Sequence, residues 1–366
     1  MNYLITASGR GTRFLSKGLK PPKPLIKVFG NELLIWSMNS FEYKFKDKVF
    51  IITFKEHKVK EILENKIRNL FPEIAIFWLE IEEILEGQLL TAIHAIKYFK
   101  IQGPITIHNC DTFHKFDIEE INNLLNEKIF GIIPCFKGEG NHWSFAKTKN
   151  SDSLYATEVR EKVRISDKCS VGTYVFSSTN VLLEIFNEYF INENCQNEYF
   201  IAPIYQYAIE KKLTVIISKA NYVKIFGTVS ELLNSFGISF YELLGENASC
   251  GHQKRTIVVD IDNTICEKNE DQDYSHAIPI KKVCNALRNA NSQGVYIILY
   301  TSRNLRSFKG SLGLINKYTA PILIEWLNNN KIPFDEIYFG KPWGNEVSYI
   351  DDKSLLIENF IKYYSK

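Results

Sequence analysis

The sequence predicts a chain of two α/β domains, on three observations. Apolar, strand-like runs alternate with stretches of helical periodicity, first over residues 2–240 and again over 256–366. Chemistry-bearing residues follow several of those runs directly, at Ser8–Arg13, His108–Asp111 and Asp260–Asp262, and α/β folds gather ligands at the carboxyl ends of strands. Between the two halves lies the polar stretch GENASCGHQKR, residues 245–255. Its composition marks a boundary, giving a first domain over 1–245, a linker over 246–255 and a second domain over 256–366.

Taken in order, residues 2–6 read as a strand, 33–45 as a helix and 48–53 as a strand. A helix over 59–71, a strand over 74–79, a helix over 91–99 and a strand over 105–109 follow. Three further strands are expected at 130–136, 144–147 and 171–176, then a helix at 181–190 and strands at 214–218 and 222–226. In the second half TIVVDIDNT is a buried strand ending in acids. A helix at 280–290, a strand at 295–300, a helix at 321–329 and short strands at 336–339 and 347–350 complete it.

Composition excludes several classes. The 366 residues are 45% hydrophobic and 23% charged, the balance of a soluble folded protein. With 44 basic and 42 acidic residues the net charge is +2 and no basic tail stands out, so nucleic acid is not the expected partner. None of the seven cysteines forms a C-x-x-C pair, so neither a zinc site nor a disulfide framework is indicated, and a reducing cytoplasm is expected. No window holds the ~18 apolar residues of a membrane span, so no membrane association is expected. Homo-oligomerisation is left open.

The first candidate site lies in ITASGRGTRFLSKGLKPPKPLI, residues 5–26. Gly9 and Gly11 let a backbone approach a phosphate closely. Arg13 offers a rigid fork of donors, and Lys23 is held between Pro22 and Pro24. These residues resemble the signature of sugar-phosphate nucleotidyltransferases, roughly [LM]-x-A-G-x-G-x-R-F followed by P-K-P-L-I. Ser8 departs from some family loops but keeps a small residue. The resemblance extends over most of residues 1–240, through EGQLLTAIHAI, HNCD, VREK, CSVGTYVF, NEYFIAP and FGTVSEL.

It implies a Rossmann-like nucleotidyltransferase fold, with the nucleotide held by Ala7, Ser8, Gly9, Gly11, Thr12, Arg13, Lys23 and Gln88. It further implies an acceptor held by Glu161, Lys162, Gly172 and Glu198, and Mg²⁺ on Asp111. Arg13 and Lys23 are the expected catalytic cations. Many relatives carry a second metal aspartate just before the late Gly-Thr pair. Here KIFGT puts Phe226 in that neighbourhood, and the second ligand is unassigned. The compact first half resembles choline-phosphate and polyol-phosphate cytidylyltransferases more than longer thymidylyl or guanylyl enzymes, which points to CTP and a sugar or polyol phosphate. A uridylyl- or guanylyltransferase for a sugar 1-phosphate, an amino-alcohol phosphate as acceptor, and a catalytically degenerate scaffold are the alternatives.

The second candidate site starts at VVDIDNT, with Asp260 and Asp262 two residues apart at a strand end. Carboxylates there need a metal or hydrogen bonds, or else cap a helix. YTSRN, FGKPWG and YIDDKS place Thr301, Lys341, Asp351 and Asp352 after later strands. This order resembles the haloacid dehalogenase-like phosphohydrolases, in the wording of capsule and surface-glycan gene clusters. The resemblance implies a little-capped Rossmannoid phosphatase. Asp260 would be the nucleophile and Asp262 the acid/base. Thr301 and Lys341 would be phosphoryl ligands, with Mg²⁺ on Asp260, Asp262 and Asp351 beside Asp352. Only 37 positions separate Thr264 from Thr301 and 40 separate Thr301 from Lys341, so no large cap fits. The whole is then expected to be a bifunctional transferase and phosphatase of surface-glycan precursor supply.

Overall fold

The computed structural model describes residues 1–117, 121, 123–125, 129–150, 153–192, 199–248, 255–267, 274–344 and 356–364. The chain divides into two compact units, Met1–Ala248 and Ser249–Lys366.

The first unit is built on a ten-stranded sheet. Its leading elements are β1 (Asn2–Ala7), α1 (Leu33–Met38), β2 (Lys48–Phe54), α2 (Val59–Leu70), β3 (Ala75–Ile81), α3 (Gln88–Phe99) and β4 (Ile105–Asn109). Strand β1 lies between β2 and β4, parallel to both, pairing Ala7 with Thr53 and Thr6 with Asn109. A strand in this position is covered on both faces, which is why it reads as an unbroken apolar run. Alternate side chains separate: Leu4 joins the core beneath α3, and Tyr3 and Ile5 join the core beneath α1 and α2. Since β1 and β4 run the same way in register, the loop after Ala7 and the turn after Asn109 leave the sheet side by side.

Later elements of the first unit are β5 (Thr112–Lys115), β6 (Ile129–Lys137), β7 (Ser144–Thr148), β8 (Ala156–Glu161), β9 (Lys168–Ser170), β10 (Thr173–Phe176), α4 (Thr179–Asn192), α5 (Ala202–Glu210), β11 (Thr214–Lys219), β12 (Asn221–Ile225), α6 (Val229–Phe236) and α7 (Phe240–Asn247), and residues 27–28 and 31–32 form a short antiparallel pair before α1. The sheet order is β8-β7-β9-β6-β10-β4-β1-β2-β3, with β11 paired to β6. Strands β5 and β12 form a separate antiparallel ribbon.

The helix expected over 33–45 stops at Met38. Beyond it Phe41 and Tyr43 pack against the Tyr3 ring at 4.9 and 5.0 Å, and the Tyr43 hydroxyl donates to the Met38 carbonyl. Aromatic burial ends the helix that periodicity would have continued. Strand β8 was not expected, because on this sheet edge only Val159 is buried. The linker placed over 246–255 begins too early. Glu246 and Asn247 close α7 and accept hydrogen bonds from the backbone N–H groups of Phe29, Gly30 and Lys27, which ties them to the first unit.

The second unit contains β13 (Thr256–Val259), α8 (Lys281–Ser292), β14 (Tyr296–Thr301), α9 (Leu312–Tyr318), α10 (Ala320–Asn329), β15 (Glu336–Phe339) and α11 (Ile357–Tyr364). Its three described strands are parallel in the order β13-β14-β15, around a core that includes Ile261, Leu287, Ile297 and Leu323. The strand expected at 347–350, and with it Asp351 and Asp352, lies outside the described residues. A short parallel sheet under helices is shared by many α/β units, so it does not carry the haloacid dehalogenase-like identification. No helix among the described residues is long and apolar enough to cross a membrane.

Candidate active site

A cavity of about 590 Å³ opens at the carboxyl ends of β1 and β4. The loop Ser8–Gly11 forms one wall and leads into a single helical turn, Thr12–Leu15, anchored by buried Phe14. Gly11 has φ 66°, and a Cβ there would stand 3.1 Å from the Cβ of Lys23. Glycine is therefore required twice, for the left-handed backbone and for the close approach of the lysine segment. A short 3₁₀ turn at Lys23–Leu25 follows Pro22 and presents Lys23 to the cavity.

Lys23 Nζ lies 2.7 Å from Asp111 Oδ2, with the lysine side chain 12% exposed and the carboxylate 31%. Burial pushes the Asp111 carboxyl up. The Lys23 ammonium outweighs that, helped by His108 and Arg13, and holds it below the usual carboxylate range. Ser8, Gly9, Gly11, Thr12, Arg13, Lys23 and Gln88 all line this cavity. Ala7 does not: its side chain is buried in the core under α1 and α2. Gln88, at the start of α3, donates to Thr6 Oγ1 at 3.1 Å, and Thr6 Oγ1 donates to the His108 carbonyl at 3.2 Å.

Glu161, Lys162 and Gly172 line the same cavity. Ser144 Oγ donates to Glu161 Oε2 and lies 3.0 Å from the Tyr174 hydroxyl. Lys162 has φ 56°, and its Nζ sits 4.1 Å from the centroid of Phe200. Gly172 has φ 76°, and a Cβ on it would fall 2.0 Å from Asn109 Nδ2. Glu198 lies outside the described residues.

Beneath the cavity floor is a hydrogen-bonded chain that the sequence did not reveal. Buried His108 places Nε2 3.1 Å from the Thr112 carbonyl and Nδ1 2.7 Å from Thr173 Oγ1, and His114 Nε2 is 2.6 Å from the same hydroxyl. A carbonyl only accepts, so His108 Nε2 carries the proton. Thr173 then donates to His108 Nδ1 and accepts from His114 Nε2–H. Burial pushes His108 down to about 4 and His114 well below its ordinary value, so both are neutral near pH 7. Two histidines and a threonine, separated by 59 and 65 positions, leave no local pattern to read.

The donors suit a divalent cation in one respect: Asp111 is ionised, and a cation, the Lys23 ammonium, already sits against it. Among the described residues no group of three or more His, Cys, Asp or Glu side chains could hold a metal. Mg²⁺ would thus depend mainly on substrate oxygens and water, as it commonly does. Phe226 is not a ligand. It is fully buried in the cluster with Phe14 and Val28, and its N–H donates to the Asp111 carbonyl at 2.9 Å.

In the second unit Lys341 Nζ lies 2.6 Å from Asp260 Oδ2. Thr301 is fully buried, with its hydroxyl accepting from the Arg303 N–H and its carbonyl accepting from the N–H groups of Gly340 and Lys341. Asp262, expected as an acid/base, is gripped by the buried Arg303 guanidinium, which reaches Oδ1 at 2.9 Å and Oδ2 at 3.2 Å. With both of its oxygens engaged by Arg303, Asp262 is not presented to a leaving group as the acid/base role requires. His276 sits in a short 3₁₀ turn beside Ser275.

No protein-family model matches the chain. Among curated proteins it is similar to the bifunctional protein GlmU of Campylobacter concisus, 24% identical over 233 residues, or 62% of this chain and 50% of that protein. The GlmU of Campylobacter curvus is 23% identical over 232 residues, with 61% and 50% covered. The chain thus spans about half the length of the curated relatives it matches. Among solved structures it is similar to a nucleoside-diphosphate-sugar pyrophosphorylase from Vibrio cholerae RC9, at 26% identity and TM-score 0.55, over 65% of this chain and 100% of that one. A glucose-1-phosphate thymidylyltransferase structure from Bacillus anthracis shares the fold at 16% identity and TM-score 0.53, over 67% of this chain and 99% of that one. A structural-genomics target from Vibrio cholerae, whose name states no activity, is 38% identical over 29% of this chain and 87% of its own, with a TM-score of 0.28.

The likenesses to GlmU and to the solved nucleotidyltransferases support a Rossmann-like nucleotidyltransferase fold for the first unit and correct the expectation for the second. The curated relatives are bifunctional by name, yet neither they nor the solved nucleotidyltransferases bring a phosphatase to this chain. The fusion to a haloacid dehalogenase-like phosphatase is therefore withdrawn. With it go the phosphate-releasing activity and the roles assigned to Asp260, Asp262, Thr301, Lys341, Asp351 and Asp352.

Proposed function

We propose that the first unit transfers a nucleotidyl group from a nucleoside triphosphate to a phosphorylated sugar or polyol. The observation that carries this is the Lys23 ammonium fixed against Asp111 at the mouth of the glycine loop. An acceptor phosphate oxygen attacks the α-phosphorus. The bond from that phosphorus to the bridging oxygen breaks, and its electron pair leaves with pyrophosphate. No proton need be removed, because a phosphate monoester is already ionised near neutral pH.

The difficulty is anion meeting anion. Arg13, Lys23 and Lys162, all lining the cavity, supply positive charge to offset it. Mg²⁺, when bound, would neutralise part of the triphosphate charge. In this reading the loop Ser8–Gly11 offers backbone N–H groups to phosphate oxygens, and Gln88, which lines the cavity, is assigned to the base edge. Glu161, oriented by Ser144 and Tyr174, is suited to accept hydroxyl donors of a sugar or polyol. The likeness to a nucleoside-diphosphate-sugar pyrophosphorylase supports the same substrate class.

The test is pyrophosphate release by the full chain, with CTP first and then UTP, GTP and dTTP, each against sugar 1-phosphates and polyol phosphates. Release that requires both a triphosphate and an acceptor supports the proposal. No release across the panel refutes it.

A further inference from the structure

We propose that Glu231 is the second protein carboxylate for the divalent cation at Asp111, in place of the aspartate that KIFGT lacks. This rests on the transferase function proposed above.

Glu231 lies in the first turn of α6 and lines the same cavity as Asp111. An acid in a first helical turn ordinarily serves the helix, but here its carboxylate is turned toward the site. A Cβ built on Gly227 would stand 3.1 Å from Glu231 Oε2 and 3.5 Å from Asp111 Oδ2. The two carboxylate oxygens therefore flank one small space, kept open because residue 227 has no side chain. Thr228 caps α6 by accepting from the Glu231 N–H at 3.2 Å, and its hydroxyl donates back to Glu231 Oε2 at 3.0 Å. That reciprocal pair holds the carboxylate in place, as a supporting shell does for a metal ligand. Oε1 is 3.2 Å from His142 Nε2.

The backbone gives the reason for the substitution of one position by another. Phe226 is drawn into the core and its N–H is spent on the Asp111 carbonyl. Ile225, which ends β12, does line the cavity but is apolar, so the end of this strand brings no metal-binding side chain. From the same stretch of chain, Glu231 in the first turn of α6 is an acid that does line the cavity. Two carboxylates, with phosphate oxygens and water completing the shell, match the usual needs of Mg²⁺.

The test uses Mn²⁺ alone with the full chain, its binding read by electron paramagnetic resonance and by water proton relaxation. Wild type should bind one Mn²⁺ equivalent that Asp111→Asn removes. Glu231→Gln and, independently, Gly227→Ala should each weaken the same equivalent about tenfold or more. Gly227→Ala leaves both charges present and fills the space, so it stands if Glu231→Gln folds poorly. Binding within twofold of wild type in either folded variant, or no equivalent at Asp111 in wild type, overturns the assignment. Pyrophosphate release separates the two proposals. If wild type releases none, the transferase reading fails even where Mn²⁺ binds as expected. Normal release with unchanged Mn²⁺ affinity in Glu231→Gln removes Glu231 alone.

Discussion

Replacing Lys23 by alanine acts on the rate and on the stability of the first unit through the same ion pair. Lys23 is nearly enclosed and its ammonium is 2.7 Å from Asp111 Oδ2. In the reaction, a cation fixed beside the reacting phosphates needs no reorganisation, and losing one such group costs about 10²–10³ in kcat. In the free protein, Asp111 is left on the cavity floor without its ammonium. Breaking a fully buried pair costs about 3–5 kcal/mol. Asp111 is partly open to water, so a loss of about 1–3 kcal/mol is expected here. The pH dependence follows from the direction of the shift. The wild-type carboxyl is held below its ordinary value, so its stabilisation is present above the unfolded pKa and is lost as pH falls through the folded one. In K23A that stabilisation is gone, so the gap between variant and wild type should be widest near pH 7 and narrow toward pH 3. Pyrophosphate release at saturating triphosphate, with urea unfolding at both pH values, measures each part. An unchanged kcat would remove Lys23 from the reaction. Equal stability at pH 7 would show that the pair contributes no net stability.

The buried chain under the site yields two further expectations. Thr173→Val leaves the His114 N–H and the His108 acceptor unpaired, at about 1–3 kcal/mol each, whereas Thr173→Ser keeps the hydroxyl and should lose less than 1 kcal/mol; urea unfolding of the two variants decides this. Because His108 titrates near 4 when folded and near 6.5 when unfolded, the unfolded state binds more protons between those values. Stability should then fall by about 3 kcal/mol as pH drops from 6.5 to 4, and His108→Gln should flatten that slope. Gly172→Ala would drive a Cβ into Asn109 at a left-handed backbone position. It should destabilise by more than about 1 kcal/mol and slow pyrophosphate release, with normal stability and rate counting against the close approach.

What the sequence determined by itself is what local chemistry determines. Strand β1 could be read because burial on both faces demands an unbroken apolar run, and Gly11 because its left-handed backbone beside Lys23 suits only glycine, whereas a Cβ at Gly9 would meet open space. Lys23 stood out through its prolines, and Asp111 through its place at a strand end. The expectation failed where distant parts of the chain decide. Tyr3, 38 positions from Phe41, helps to end α1 early. The Thr173 hydroxyl joins His108 to His114 only because β10 lies beside β4. Arg303, which occupies both oxygens of Asp262, is 41 positions away. Periodicity and motif spacing report on neighbours along the chain, whereas a buried proton chain, a pinned carboxylate or a space beside Gly227 exists only once separate strands and helices are packed together.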